Sequence, residues 1–194
     1  MQVVKKRFRK DRLFLIIMIF VFIVILVFSL TKIKTWLKDR NNNNDVIDKI
    51  TEEVKIDEIK DDELINSDKE EKTSDYWYYV NFPLINVDFN NLKKINDETV
   101  GWINVNNTNI NYPFVRSRDN DYYLSHSYDK TYNNAGWVFM DYRNNRDLNN
   151  KNTILYAHGR MDKTMFGSLY MTQYSSWYQD KSNHRIRKYP LASL

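Results

Sequence analysis

Histidine is the residue type in this sequence best suited to acid–base chemistry, and the chain has three of them: His126, His158 and His184. An imidazole titrates near neutral pH, so one well-placed ring can both take and give a proton. His158 closes an apolar run of strand type and is followed by Gly159. His126 lies in a polar stretch and is expected at the surface, while His184 is assigned no role. For His158, a purely structural histidine is the alternative interpretation.

Cysteine is missing from the 194 residues. These residues therefore provide no disulfide, no thiolate metal ligand and no cysteine nucleophile. A sequence without cysteine is compatible with both a reducing and an oxidising compartment. Ser168 is a poor replacement nucleophile, because a hydroxyl needs an activating base. Three scattered histidines without a repeated ligand spacing do not predict a metal site, and we expect no cofactor.

An apolar segment near the N-terminus indicates a membrane anchor. In residues 13–30, 17 of 18 residues are apolar, with Ser29 as the exception. As a helix the segment covers roughly 27 Å, close to the hydrocarbon thickness of a bilayer. It is longer than a signal-peptide core, and no small-residue cleavage site follows, so we expect an uncleaved anchor. Six Lys and Arg lie in the basic tail 1–12, against four in 31–40, which favours a cytoplasmic N-terminus and an extracytoplasmic main domain.

Residues 31–75 are expected to form a stalk and linker. The four consecutive residues Asn41–Asn44 predict a break in the helix. Residues 45–65 then carry apolar side chains at spacings of three and four, which predicts an amphipathic helix with one solvated face. A helix that pairs with a partner is the alternative, but the heptads are too few. Residues 66–75 have the composition of a flexible linker.

Residues 76–194 have the pattern of a globular domain. Asp88 is placed to cap a helix over 89–95, and Val100–Val105 alternates as a strand before the turn signal at Asn106 and Asn107. Further predicted elements are a strand over 108–115, a helical turn over 119–124, strands over 136–140 and 153–158, and a short helix over 164–171. Together they predict a mainly β fold, a small barrel with short helices. The net charge of +4 includes no basic stripe with stacking aromatics, which argues against nucleic-acid binding.

The order and spacing of several short motifs resemble the class B sortases over about residues 88–180. No single motif is specific, but all of them occur in the family's order. They are Val100–Ile103, Asn107–Pro113, Asp119–Leu124, Phe139–Asn144, Asn152–Gly159 and Thr164–Leu169.

The resemblance implies an extracytoplasmic cysteine transpeptidase of Gram-positive bacteria. Such enzymes cut a sorting motif near the C-terminus of a secreted protein and join the new end to a cell-wall peptidoglycan amine. A Cys thiolate forms a thioester, a His moves the protons, and an Arg stabilises the oxyanion. His158 matches the catalytic His of the family. The implied fold is an eight-stranded barrel, which class B members extend with N-terminal helices.

This sequence departs from the family pattern near Asn183. The Thr-Cys motif is missing, Arg143 and Arg160 do not match the family's catalytic Arg, and Ser168 falls in a packing helix of the family. The last segment, 184–194, shows no strand alternation, so we expect a C-terminal truncation or frameshift, an incomplete barrel and an inactive chain. Residues 76–194 are then expected to fold poorly alone, because strand edges stay unpaired. Alternatives are a membrane-anchored binding or scaffold protein, a nonfunctional fragment, or complementation by a separate C-terminal piece.

Overall fold

The computed structural model describes residues 10–54, 56–58, 85–180, 183 and 186–190. The chain divides into two compact units, Met1–Asp39 and Arg40–Leu194. The predicted linker over 66–75, the predicted domain start at Tyr76 and His184 all lie outside the described residues.

Helix α1 is the longest element and spans Lys10–Glu53. Its first part carries the apolar segment, whose large side chains are exposed, and it is long and apolar enough to cross a membrane. The helix continues through Asn41–Asn44, so the break predicted there is wrong. The low helix propensity of asparagine is overridden at this point by tertiary contacts of Asn43.

The last turns of α1 belong to the core of the second unit. Ile50 and Val54 are each 1% exposed, and Val46 and Ile47 pack against the same cluster. The helix predicted over 45–65 is confirmed only up to Glu53, since Ile56–Glu58 forms a strand, and its apolar stripe packs inside the domain. The expectation of a solvated stalk is therefore wrong for this stretch.

The strands that the structure describes in the second unit form two sheets. Strands β1 (Ile56–Glu58) and β2 (Ile85–Val87) pair antiparallel. The other sheet has five strands in the order β6-β5-β4-β3-β7, and only its β4–β5 pair is parallel. Its members are β3 (Thr99–Val105), β4 (Asn111–Val115), β5 (Phe139–Met140), β6 (Leu155–Tyr156) and β7 (Ile186–Pro190).

The hairpin of β3 and β4 is the centre of the larger sheet. Trp102 lies opposite Pro113 in the antiparallel register, and Asn107 takes a φ of 54° in the connecting turn, as the Asn-Asn turn signal predicts. The apolar residues of both strands, with Trp137 and Phe139, fill the core. The predicted strands over 136–140 and 153–158 are confirmed only as the two-residue strands β5 and β6.

The short helices in the described part of the second unit are α2 (Phe89–Ile95), α3 (Ser175–Gln179) and the 3₁₀ helices Tyr122–Leu124 and Leu169–Gln173. The predicted cap of α2 is confirmed, since Asp88 Oδ1 accepts from the backbone N–H groups of Asn90 at 3.0 Å and Asn91 at 3.2 Å. The 3₁₀ helix at Tyr122 begins after Asp119, whose Oδ1 accepts from the Tyr122 N–H at 2.8 Å.

Strand β7 corrects the expectation for the C-terminal segment. Ile186–Pro190 pairs with β3 along its length, from Val105 opposite Ile186 to Gly101 opposite Pro190. Backbone hydrogen bonds to a neighbouring strand order this segment without an alternating side-chain pattern. The missing strand alternation in 184–194 therefore did not prevent a strand from forming over Ile186–Pro190.

Candidate active site

His158 lies two residues beyond β6 and is half-buried. Its Nε2 atom is 2.8 Å from the carbonyl oxygen of Leu124, the last residue of the first 3₁₀ helix. A carbonyl oxygen only accepts hydrogen bonds, so Nε2 carries a proton in this arrangement. In the neutral ring the remaining nitrogen, Nδ1, is then the atom that accepts a proton.

The His158 ring packs against the backbone of Gly136. A Cβ at this position would lie 3.1 Å from His158 Cδ2, 2.6 Å from the Tyr123 carbonyl oxygen and 3.0 Å from that of Leu124. The backbone φ of 62° also favours glycine. The next residue, Trp137, donates its N–H to the Tyr123 carbonyl at 2.9 Å, which holds the two segments together. The Cδ2 side of the His158 ring therefore lies against the backbone at Gly136.

The loop after His158 is fixed by its own hydrogen bonds. The Phe166 N–H donates to the His158 carbonyl at 3.0 Å, and Gly159 and Met165 form an isolated bridge. Inside the loop, Arg160 and Asp162 form an ion pair at 3.1 Å with side chains 10% and 4% exposed. Burial acts to raise the pKa of Asp162, but hydrogen bonds from Thr164 and Arg160 outweigh it and the pKa falls below its ordinary value.

Asp141 organises the polar side chains beside β6. This buried carboxylate accepts from Arg143 Nη2 at 2.7 Å, Tyr156 Oη at 2.9 Å and Asn120 Nδ2 at 3.2 Å. Hydrogen bonds from the side chain and backbone of Arg143 hold the pKa of Asp141 well below its usual range. The same carboxylate raises the pKa of Tyr156, because the phenol donates to it. Tyr156 is thereby fixed two residues before His158.

The other polar residues that the sequence singled out are already engaged. The guanidinium groups of Arg143 and Arg160 are each paired with a carboxylate. Ser168 is fully buried, and its Oγ accepts from the Asn109 N–H at 3.0 Å. His126 is half-buried rather than free on the surface, with its ring stacked on Tyr122 at a centroid distance of 4.0 Å.

Sequence reasoning assigned no role to Asp141 or Asn43. Asp141 holds Tyr156, two residues before His158, and Asn43 holds Gly136, which packs against the His158 ring. Asp141 stands inside one of the matched motifs, but its burial as a shared acceptor is visible only in three dimensions. Among the residues that the structure describes, no group of three or more His, Asp or Glu side chains is arranged to hold a metal ion.

The comparison with known proteins gives one consistent answer, although no family model matches the chain. Sortase B of Listeria monocytogenes is 46% identical over 78 residues, which is 40% of this chain and 32% of the relative. Sortase B of Staphylococcus aureus is 28% identical over 178 residues, which is 92% of this chain and 63% of the relative. A crystal structure of a Bacillus anthracis protein described as similar to sortase B is 44% identical, with a TM-score of 0.50, and the match covers 53% of this chain and 47% of that one.

The fold of the second unit is thus similar to that of sortase B. The chain spans less than two thirds of the curated relatives that it matches. Those relatives are sortase B proteins, and over the matched residues the chain is similar to class B sortases.

Proposed function

We propose that this chain supplies the histidine-bearing part of a class B sortase, held in the membrane by the apolar segment of α1. His158 acts as the acid–base residue, and the main domain faces the extracytoplasmic side. The observation that carries the proposal is the half-buried His158, held by a backbone carbonyl at Nε2 within the part of the chain that resembles sortase B. By the same resemblance, the substrates are a secreted protein with a C-terminal sorting motif and a peptidoglycan amine.

The hydrogen bond at Nε2 supports Nδ1 as the proton-transfer atom of the proposed mechanism. Nε2 donates its proton to the Leu124 carbonyl. In the proposed mechanism Nδ1 therefore gives a proton to the leaving amine and later takes one from the incoming amine. The thiolate that attacks the scissile carbonyl is not provided by these 194 residues, since they contain no Cys. On their own they therefore form no thioester and cleave no sorting peptide.

A chimera tests the role of His158. The chain is extended with the part of Staphylococcus aureus sortase B that lies beyond the matched region, and cleavage of a fluorescent sorting-motif peptide is measured. We expect no cleavage by the 194-residue chain, cleavage by the chimera, and a loss of about 10²- to 10⁴-fold in the His158→Ala chimera. The His126→Gln chimera is the matched control and should keep its rate.

Two results would overturn the proposal: cleavage by the 194-residue chain alone, or full activity of the His158→Ala chimera. Binding of the peptide by the 194-residue chain without cleavage would instead support the alternative of an anchored binding protein. Retention of the protein in the membrane fraction after carbonate washing tests the anchor separately.

A further inference from the structure

Asn43 is a buried amide ten residues before the end of α1. Only 3% of the residue is exposed, and its side chain makes three hydrogen bonds. Its Nδ2 donates to the Gly136 carbonyl at 3.1 Å, and its Oδ1 accepts from Ser127 Oγ at 2.7 Å and from Asn133 Nδ2 at 2.8 Å. A buried amide with these partners is satisfied on both its donor and its acceptor side.

The partners of Asn43 are 84 to 93 residues away in the sequence. They all belong to the segment between the first 3₁₀ helix and β5. Asn43 bonds to both ends of the turn 133–136, and the Gly136 N–H closes that turn on the Asn133 carbonyl at 2.9 Å. One side chain of α1 therefore fixes the backbone of this turn.

The same turn contacts His158. Gly136 packs against the imidazole, where a Cβ would lie 3.1 Å from Cδ2. The Asn133 N–H donates to the Ser125 carbonyl at 2.9 Å, and Ser125 directly follows Leu124, the acceptor for His158 Nε2. A shift of the turn would move Gly136, against which the His158 ring packs, and the Leu124 carbonyl, which accepts the hydrogen bond from Nε2.

We propose that Asn43 is a positioning residue for His158. It acts through the backbone of the turn 133–136 and thereby sets the orientation of the imidazole and the proton on Nε2. The inference rests on the proposed acid–base role of His158 for its functional meaning, but its structural content is tested independently of catalysis. It gives the part of α1 that lies in the second unit, from Arg40 to Glu53, a role in orienting the candidate catalytic ring.

The test uses the full 194-residue chain in detergent micelles with ¹⁵N-labelled histidine. Long-range ¹H–¹⁵N correlation spectra report the tautomer of each ring and the protection of the Nε2 proton. In the unsubstituted protein we expect a protected Nε2 proton on His158. In Asn43→Ala we expect loss of that protected signal and a mixture of the two tautomers. Asn41→Ala, at an exposed asparagine in the same helix, is the matched control and should leave the His158 signals unchanged.

A second variant covers the case in which Asn43→Ala does not fold. Asn43→Asp keeps the acceptor oxygens for Ser127 and Asn133 but removes the donor to the Gly136 carbonyl, and circular dichroism verifies the fold. We again expect loss of the protected Nε2 proton of His158. An unchanged His158 spectrum in a folded Asn43 variant would overturn the inference. That outcome leaves the chimera assay of His158→Ala unaffected, so the two proposals fail separately.

Discussion

At the scale of single residues, Gly136 gives the sharpest prediction. Its φ of 62° disfavours a side chain, and an added Cβ would meet the Tyr123 carbonyl oxygen at 2.6 Å. We expect Gly136→Ala to lower the free energy of unfolding by about 2 kcal/mol or more, because backbone must shift to admit the methyl group. Gly159→Ala is the control, since an added Cβ there meets no atom within 4 Å. Denaturant unfolding that shows equal losses for both variants would contradict this account.

Asp141 gives a prediction for the dependence of stability on pH. Its pKa in the folded protein is depressed below the ordinary value of 3.8, mainly by Arg143. Protonation therefore favours the unfolded chain, so the stabilisation is complete above the ordinary pKa and is lost as the pH falls below it. We expect Asp141→Asn to melt at a lower temperature than the parent at pH 7, with the difference shrinking below about pH 4. A melting-temperature difference that stays constant from pH 7 to pH 3 would show that the carboxylate charge is not the cause.

At the scale of elements, substitutions near the end of α1 test whether this part of the helix is buried in the core or is a solvated stalk. Ile50 is 1% exposed and lies in the core cluster, while Ile47 is only partly buried. We expect Ile50→Ala to cost about 2–4 kcal/mol of unfolding free energy, because a buried aliphatic side chain leaves a cavity. Ile47→Ala should cost less. A solvated stalk would predict no measurable change in either variant, and denaturant titration separates the two cases.

Local sequence signals predicted those elements whose cause is local. The Asp88 cap, the turn at Asn106 and Asn107 and strand β3 depend on residues next to each other in the chain, and all three are present. Asn43 shows the opposite case. Its low helix propensity predicted a break, but partners more than 80 residues away satisfy its amide within the helix. A distant partner of this kind leaves no signal in a window of a few residues.

The candidate site was predictable in part for the same reason. His158 stands out from its strand-end position and from the motifs around it. The Leu124 carbonyl, which accepts the Nε2 hydrogen bond, is 34 residues away in the sequence. The Asp141 carboxylate accepts hydrogen bonds from side chains of three segments. Strand β7 likewise depends on pairing with β3 and not on its own side-chain pattern.

At the scale of the whole molecule, the absence of cysteine makes the orientation in the membrane directly measurable. Single cysteines are introduced as Gln2→Cys in the basic tail and Asn149→Cys at an exposed position of the second unit. Intact Gram-positive protoplasts are then treated with a membrane-impermeant maleimide. We expect labelling of Asn149→Cys in intact protoplasts and of Gln2→Cys only after lysis, because the six basic residues of the tail favour the cytoplasmic side. The cysteine-free parent controls for background labelling. The reverse pattern would refute the proposed orientation, and recovery of the labelled chain in the soluble fraction would refute the anchor.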